Sequence, residues 1–145
     1  MDKPAKQILF SCTLNAIRSV MAEGFFNRIA PKGWHATSCG VIAGPSDGFT
    51  FAVMEEAGIL LDLNRQSKLF TDYNADNIDF AVSLSVEAQF HLASWVMNVP
   101  HEHWKIKEPF SADENREVQL SNYRIIRDEI STQVGELVAR ITDNT

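Results

Sequence analysis

The sequence predicts an α/β fold: a four-stranded parallel sheet flanked by helices on both faces, formed as one domain over residues 1–145. Three observations carry this. Short apolar runs alternate along the chain with segments whose apolar residues recur every three or four positions, the pattern of strands feeding helices. The first run, Gln7-Ile8-Leu9-Phe10-Ser11, is nearly continuous in apolar character, as a strand covered on both faces must be. The 145 residues are 45% hydrophobic and 22% charged, with no repeat, low-complexity tract or linker, which suits one ordinary soluble core.

The elements follow in order. After the first strand comes a loop over residues 12–18, and Ser19 is placed to cap a helix whose apolar face is Met21, Ala22, Phe25, Phe26 and Ile29. Pro31-Lys32-Gly33 stops that helix. Trp34 to Val41 reads as the second strand, Gly44 to Gly48 as a loop and Phe49 to Ala57 as a helix closed by Gly58. A polar stretch, 64–77, is expected to hold a short helix or loop. Ile78 to Leu84 reads as the third strand, Val86 to Met97 as a helix, and 99–106 as the segment containing a shorter fourth strand. The last helix is predicted from about Asp113 to Ile141, because Leu120, Tyr123, Ile126, Ile130, Val134, Leu137 and Ile141 form one buried stripe.

Charge narrows the partners. The formal net charge is −6 and no Lys/Arg cluster interrupts it, so nucleic acid is not an expected partner. The apolar run after Met1 to Lys6 is too short for a signal-peptide core or a membrane span, so a cytoplasmic protein with no membrane association is expected. Of the two cysteines, Cys12 and Cys39, a disulfide is formally possible, but reduced thiols are the simpler expectation.

The chemistry gathers at Cys12-Thr13-Leu14-Asn15-Ala16-Ile17-Arg18-Ser19. Cys12 ends a strand and a helix follows, and in a doubly wound sheet ligands bind at such loops beyond the carboxyl ends of the strands. The loop amides and a helix dipole of roughly half a positive charge attract an anion and favour a thiolate. Cys12 is therefore the candidate nucleophile, and Arg18 the fork that holds two oxygens of a tetrahedral oxyanion. Ser19 can donate a hydrogen bond to the sulfur. Asn15 suits a positive-φ kink.

This loop, continued through Val20-Met21-Ala22-Glu23-Gly24, resembles the signature of the low-molecular-weight protein tyrosine phosphatases, whose fold and signature the thioredoxin-coupled arsenate reductases share. Thr37-Ser38-Cys39-Gly40, Met54 to Ile59, His103-Trp104 with Glu108-Pro109, and Tyr123-Arg124 to Asp128-Glu129 extend the resemblance over nearly the whole chain. It implies substrate binding by Thr13, Leu14, Asn15, Ala16, Ile17 and Ser19, and a general acid at Glu108 where the family has Asp. It also implies an aromatic wall at Phe110. Asp113 is a second carboxylate on the same segment. Leu14 stands where the family has Gly and must adopt the loop's backbone. Ile17 replaces a common second Cys, which leaves Cys12 open to irreversible oxidation.

The expected activity is hydrolysis of phosphate monoesters, phosphotyrosine foremost, through a Cys12 thiophosphate. Neither a metal nor an organic cofactor is called for. The partner is a phosphorylated protein or a small phosphate or arsenate oxyanion. One alternative is arsenate reduction with an external thiol such as glutathione or mycothiol, because Ser83 to Phe90 carries no relay cysteine. Cys39 is either a lone resolving thiol or, more simply, a small buried hydrophobe. A second alternative is an oxyanion- or phosphoprotein-binding protein with little turnover. His101 and His103 share one face of a strand but find no third metal ligand in sequence.

Overall fold

The structure, a computed structural model, describes residues 6–95, 99–110 and 115–143. Four strands form one parallel sheet in the order β2-β1-β3-β4: β1 is Lys6–Cys12, β2 Trp34–Gly40, β3 Phe80–Ser83 and β4 His101–His103. The helices are α1 Arg18–Ile29, α2 Gly48–Glu56, α3 Val86–Trp95 and α4 Arg116–Asp143. The polar stretch folds as two single 3-10 turns, Phe70–Asp72 and Ala75–Asn77, joined by extended chain. The fold is thus the four-stranded parallel α/β arrangement expected from the apolar runs. The predicted ends of the third and last helices, Met97 and Asp113, lie outside the described residues.

Strand alternation divides the core. Ile8, Phe10 and Cys12 of β1 point into the larger cluster, with Met21, Phe25 and Phe26 of α1, Val53 and Met54 of α2, and the α4 stripe from Leu120 to Leu137. Phe10 is fully buried and its ring meets Phe26 at 6.0 Å and Trp104 at 5.7 Å between centroids. Leu9 points the other way, into a smaller cluster with Cys39, Phe70, Ile78, Ala81 and Leu92 of α3. Burying β1 on both faces is what its unbroken apolar run requires.

One cap differs from the sequence expectation. α1 begins at Arg18, its N-cap is Ile17, and no side chain caps it. Ser19 lies inside the first turn and commits its hydroxyl to the neighbouring loop instead, so the helix N-terminus is left open toward that loop.

Candidate active site

Cys12 is the last residue of β1 and only 3% exposed. The chain from Thr13 to Ile17 then folds over the end of β2. The Thr13 carbonyl accepts from Val41 N at 2.9 Å and Ile42 N at 3.0 Å, and the Leu14 carbonyl accepts from Gly44 N at 3.2 Å. This close approach depends on Gly40, where a Cβ would stand 2.7 Å from the Asn15 nitrogen and 2.8 Å from the Leu14 carbonyl carbon. Asn15 takes the kink, at φ 54°, and no other non-glycine residue among those described has positive φ. Leu14 therefore occupies ordinary backbone, and a side chain in place of glycine costs the loop no strain there.

A hydrogen-bonded layer lies behind the loop. The Cys12 sulfur is 3.0 Å from Ser19 Oγ and 3.5 Å from the Ser19 amide nitrogen. Asn15 Nδ2 donates to Ser19 Oγ at 2.9 Å and to Ser38 Oγ at 3.0 Å, and Ser38 Oγ donates to the Glu23 carboxylate. Arg65 and Lys68 reach in from the polar stretch. Arg65 donates to the Asn15 carbonyl and to Asn15 Oδ1, both at 3.2 Å, and Lys68 N donates to Oδ1 at 2.9 Å. Ser67 Oγ closes the same side, on the Leu14, Asn15 and Gly44 carbonyls.

In front of the loop is a pocket of about 110 Å³, lined by Cys12, Thr13, Leu14, Ala16, Ile17, Arg18, Glu108, Pro109 and Phe110. Arg18 is buried. It donates to the Ile106 carbonyl at 3.0 Å through Nη1 and meets Glu108 Oε1 at 3.4 Å through Nη2. The Glu108 side chain is half exposed at the rim, and Phe110 is 59% exposed beside it. The structure thus gathers Cys12, Thr13, Leu14, Ala16, Ile17, Arg18, Glu108 and Phe110 around one cavity, and sets Asn15 and Ser19 behind it. Asp113 lies outside the described residues.

Cys39 is not beside this pocket. It pairs in register with Ser11 while Cys12 pairs with Gly40, so the two thiols point to opposite faces of the sheet, both free. Burial, with the Cys12 and Asp72 charges added, pushes the Cys39 thiol up and keeps it protonated. It is a small buried hydrophobe, and as folded it cannot resolve a Cys12 adduct. His103 Nδ1 pairs with Ser83 Oγ at 2.8 Å; burial foremost lowers the His103 pKa, a backbone hydrogen bond to Ser83 opposes this, and the Arg18 charge adds to the lowering. Among the described residues no group of three His, Cys, Asp or Glu side chains is placed to hold a metal ion. No described helix is long and apolar enough to cross a membrane.

Sequence reasoning missed Arg65, Ser67, Lys68 and Glu87, whose carboxylate accepts from Thr13 Oγ1 at 3.2 Å. None sits at a motif spacing. Of the rest of that layer, Ser38 and Glu23 gave a signal, through their places in the resemblance.

Comparisons with known proteins bear on the fold and the family. The chain is 30% identical over 138 residues to the glutaredoxin arsenate reductase of Synechocystis, covering 94% of this chain and 99% of that protein. A solved arsenate reductase in its phosphate-binding state superposes with a TM-score of 0.77 at 29% identity, covering 94% and 98%. The YwlE arginine phosphatase from Geobacillus stearothermophilus superposes at 0.80 with 20% identity over 96% and 94%, a likeness of fold. Residues 7–145 match the family described as low molecular weight phosphotyrosine protein phosphatase, and the chain belongs to that family.

Proposed function

We propose that this chain reduces arsenate with the help of an external thiol, by way of a covalent adduct on Cys12. The observation that carries the reading is the 30% identity, across 94% of the chain, to an arsenate reductase named for glutaredoxin. The site geometry supports it. The pocket has room for one small tetrahedral oxyanion. With Cys39 behind the sheet, whatever releases the adduct must come from solvent.

The thiolate of Cys12 attacks arsenic, a sulfur–arsenic bond forms, and the opposite arsenic–oxygen bond breaks. The entering anion takes over the Arg18 edge that Glu108 occupies in the free site. Glu108, displaced from Arg18 at the exposed rim, takes up a proton from solvent and passes it to the departing oxygen, which leaves as water. A glutathione- or mycothiol-type thiolate then attacks the Cys12 sulfur. The electron pair of the sulfur–arsenic bond stays on arsenic, giving arsenite, and a mixed disulfide remains on Cys12. A second thiol reduces that disulfide and restores the enzyme.

Hydrolysis of phosphate monoesters, phosphotyrosine among them, is the second reading. Its support is the rim: a carboxylic acid at Glu108 followed by Pro109 and Phe110, with Leu14 and Phe110 exposed as apolar walls for an aryl group. On phosphorus the Cys12 thiolate displaces the alcohol or phenol, protonated by Glu108 as it leaves, and water guided by Glu108 then breaks the sulfur–phosphorus bond and releases phosphate. Both readings need Cys12 and Arg18, and they part at the second step.

The test runs arsenate reduction with glutathione plus glutaredoxin, and separately with mycothiol, beside hydrolysis of p-nitrophenyl phosphate, for wild type and Cys12→Ser. Thiol-dependent arsenite formation that disappears in Cys12→Ser supports the reductase. Aryl phosphate turnover without arsenite moves the function to a phosphatase. Phosphate binding with neither activity makes the chain an oxyanion binder.

A further inference from the structure

With Cys12 as a thiolate, the hydrogen bonds behind the loop have one consistent set of directions, fixed from a residue outside the sheet–helix frame. Asn15 Oδ1 faces two groups that can only donate, Arg65 Nη2 at 3.2 Å and the Lys68 amide at 2.9 Å, so the carbonyl side of the Asn15 amide must point at them. Its NH2 side must then point at Ser19 Oγ and Ser38 Oγ, 2.9 and 3.0 Å away, and both of its protons are spent. Ser38 Oγ donates its own hydrogen bond to the Glu23 carboxylate. Ser19 Oγ accepts from Asn15, and when Cys12 is a thiolate the sulfur, 3.0 Å away, can only accept, so the Ser19 proton points at it. Were the Asn15 amide to turn over, its oxygen would face Ser19 and take that proton away from the sulfur.

We propose that Arg65 is a positioning residue for the Cys12 thiolate: by holding the Asn15 carbonyl groups it turns the Asn15 amide, and through it the Ser19 hydroxyl proton, onto the sulfur. Arg65 suits this task in two ways. Its planar fork spans the Asn15 main-chain carbonyl and the side-chain Oδ1 together, which locks both the positive-φ backbone and the amide orientation. Among the described residues its guanidinium enters no ion pair, so no carboxylate holds its fork away from Asn15. Glu23 anchors the far end: with the Ser38 proton committed to its carboxylate, a turned Asn15 would find no donor there. Arg65 thus acts through Asn15 and Ser19 and touches no substrate.

The inference rests on Cys12 being the reactive thiolate, the part common to both functional readings, so the experiment reads the thiolate without turnover. The rate of alkylation by iodoacetamide is followed from pH 4 to 9 for wild type, Arg65→Met and Arg65→Lys, with Cys12→Ser as the blank for Cys39. Thermal unfolding is recorded for each. Arg65→Met is expected to move the reactivity profile upward by about one pH unit, the scale of losing a hydrogen bond and a nearby charge. That change slows alkylation about tenfold on the acid side. Arg65→Lys, which keeps the charge and one donor, recovers part of the shift. A purely structural residue would lower the melting temperature and leave the profile where it was, and that result overturns the inference. If Arg65→Met does not fold, the Lys variant decides alone, since the loss of the fork predicts an intermediate profile and an unmoved one refutes it. A wild-type Cys12 that no pH renders reactive removes the thiolate and the inference together, whereas a reactive Cys12 with unmoved variants removes only the inference.

Discussion

Arg18 is the first residue of α1, buried, and before any ligand arrives its Nη1 donates to the Ile106 carbonyl and its Nη2 meets Glu108. An entering oxyanion must therefore displace Glu108, and the guanidinium fork is what makes the exchange favourable, offering two parallel donors where a lysine offers a single charge. Arg18→Lys is expected to weaken phosphate binding and slow turnover together, by about tenfold or more in affinity for the loss of one charge-assisted bond. Equilibrium titration with inorganic phosphate reads the first effect, and an unchanged affinity would remove Arg18 from the site. Glu108→Gln separates the acid from the anion: it should bind phosphate at least as tightly, because no carboxylate competes for Arg18. It should also slow an aryl phosphate with a poor leaving group far more than one with a good leaving group, and equal slowing of both would take Glu108 out of the acid role. These residues were legible in sequence because they lie within one loop and one Glu-Pro pair. Arg65 was not, because it comes from a polar stretch with no periodicity and meets Asn15 only once the chain has folded.

At the scale of elements, α2 is held at both ends by contacts that no local pattern announces. Asp47 caps it, Oδ1 accepting from Thr50 N at 3.1 Å, while Oδ2 accepts from the Tyr123 hydroxyl of α4 at 2.7 Å. Asp47→Ala removes a cap and leaves a buried phenol short of its acceptor, so it should destabilise by about 1–3 kcal/mol, read as a lower urea midpoint at unchanged slope. At the other end Glu56 receives Arg124 and Arg127, and the Arg124 hydrogen bond, foremost, lowers its pKa to about 2. A carboxylate with a depressed folded pKa contributes stability above its unfolded value, near 4.3, and loses it as pH falls toward about 2. The melting-temperature gap between wild type and Glu56→Gln should therefore be present at pH 6 and shrink between pH 4 and 2. A gap that stays constant would mean the clamp is not electrostatic. Helical spacing made α1 and α4 readable, yet it misassigned Ser19 as a cap. The hydroxyl that a helix start would use is drawn away by a sulfur and an asparagine seven and four residues back.

For the whole molecule, the decisive fact is that the sheet stands between the two thiols. Alternating runs predicted a parallel sheet, and with it a site beyond the strand ends. They carried no information on register, and register is what puts Cys39 beside Ser11 and Cys12 beside Gly40. Two cysteines that look interchangeable in a composition count are thereby given opposite fates. Cys12 opens onto a pocket at the end of β1, and Cys39 is sealed against Leu9, Phe70 and Leu92 with its thiol held protonated. With Ile17 where a partner thiol would stand and Cys39 sealed on the far face, Cys12 is the one cysteine that opens onto a pocket, and no neighbouring thiol traps its sulfenic acid as an internal disulfide. Peptide mass mapping after peroxide treatment of the native protein should find added oxygen on Cys12, with activity not restored by dithiothreitol once the sulfinic acid has formed. Iodoacetamide should label one thiol in the native protein and both after unfolding in urea. A species lighter by two hydrogens, reversible by dithiothreitol, would mean that Cys12 and Cys39 meet, which requires the sheet to open at β1 and β2. Cys39→Ala should leave the oxidation of Cys12 unchanged, since it removes only a buried sulfur on the far face.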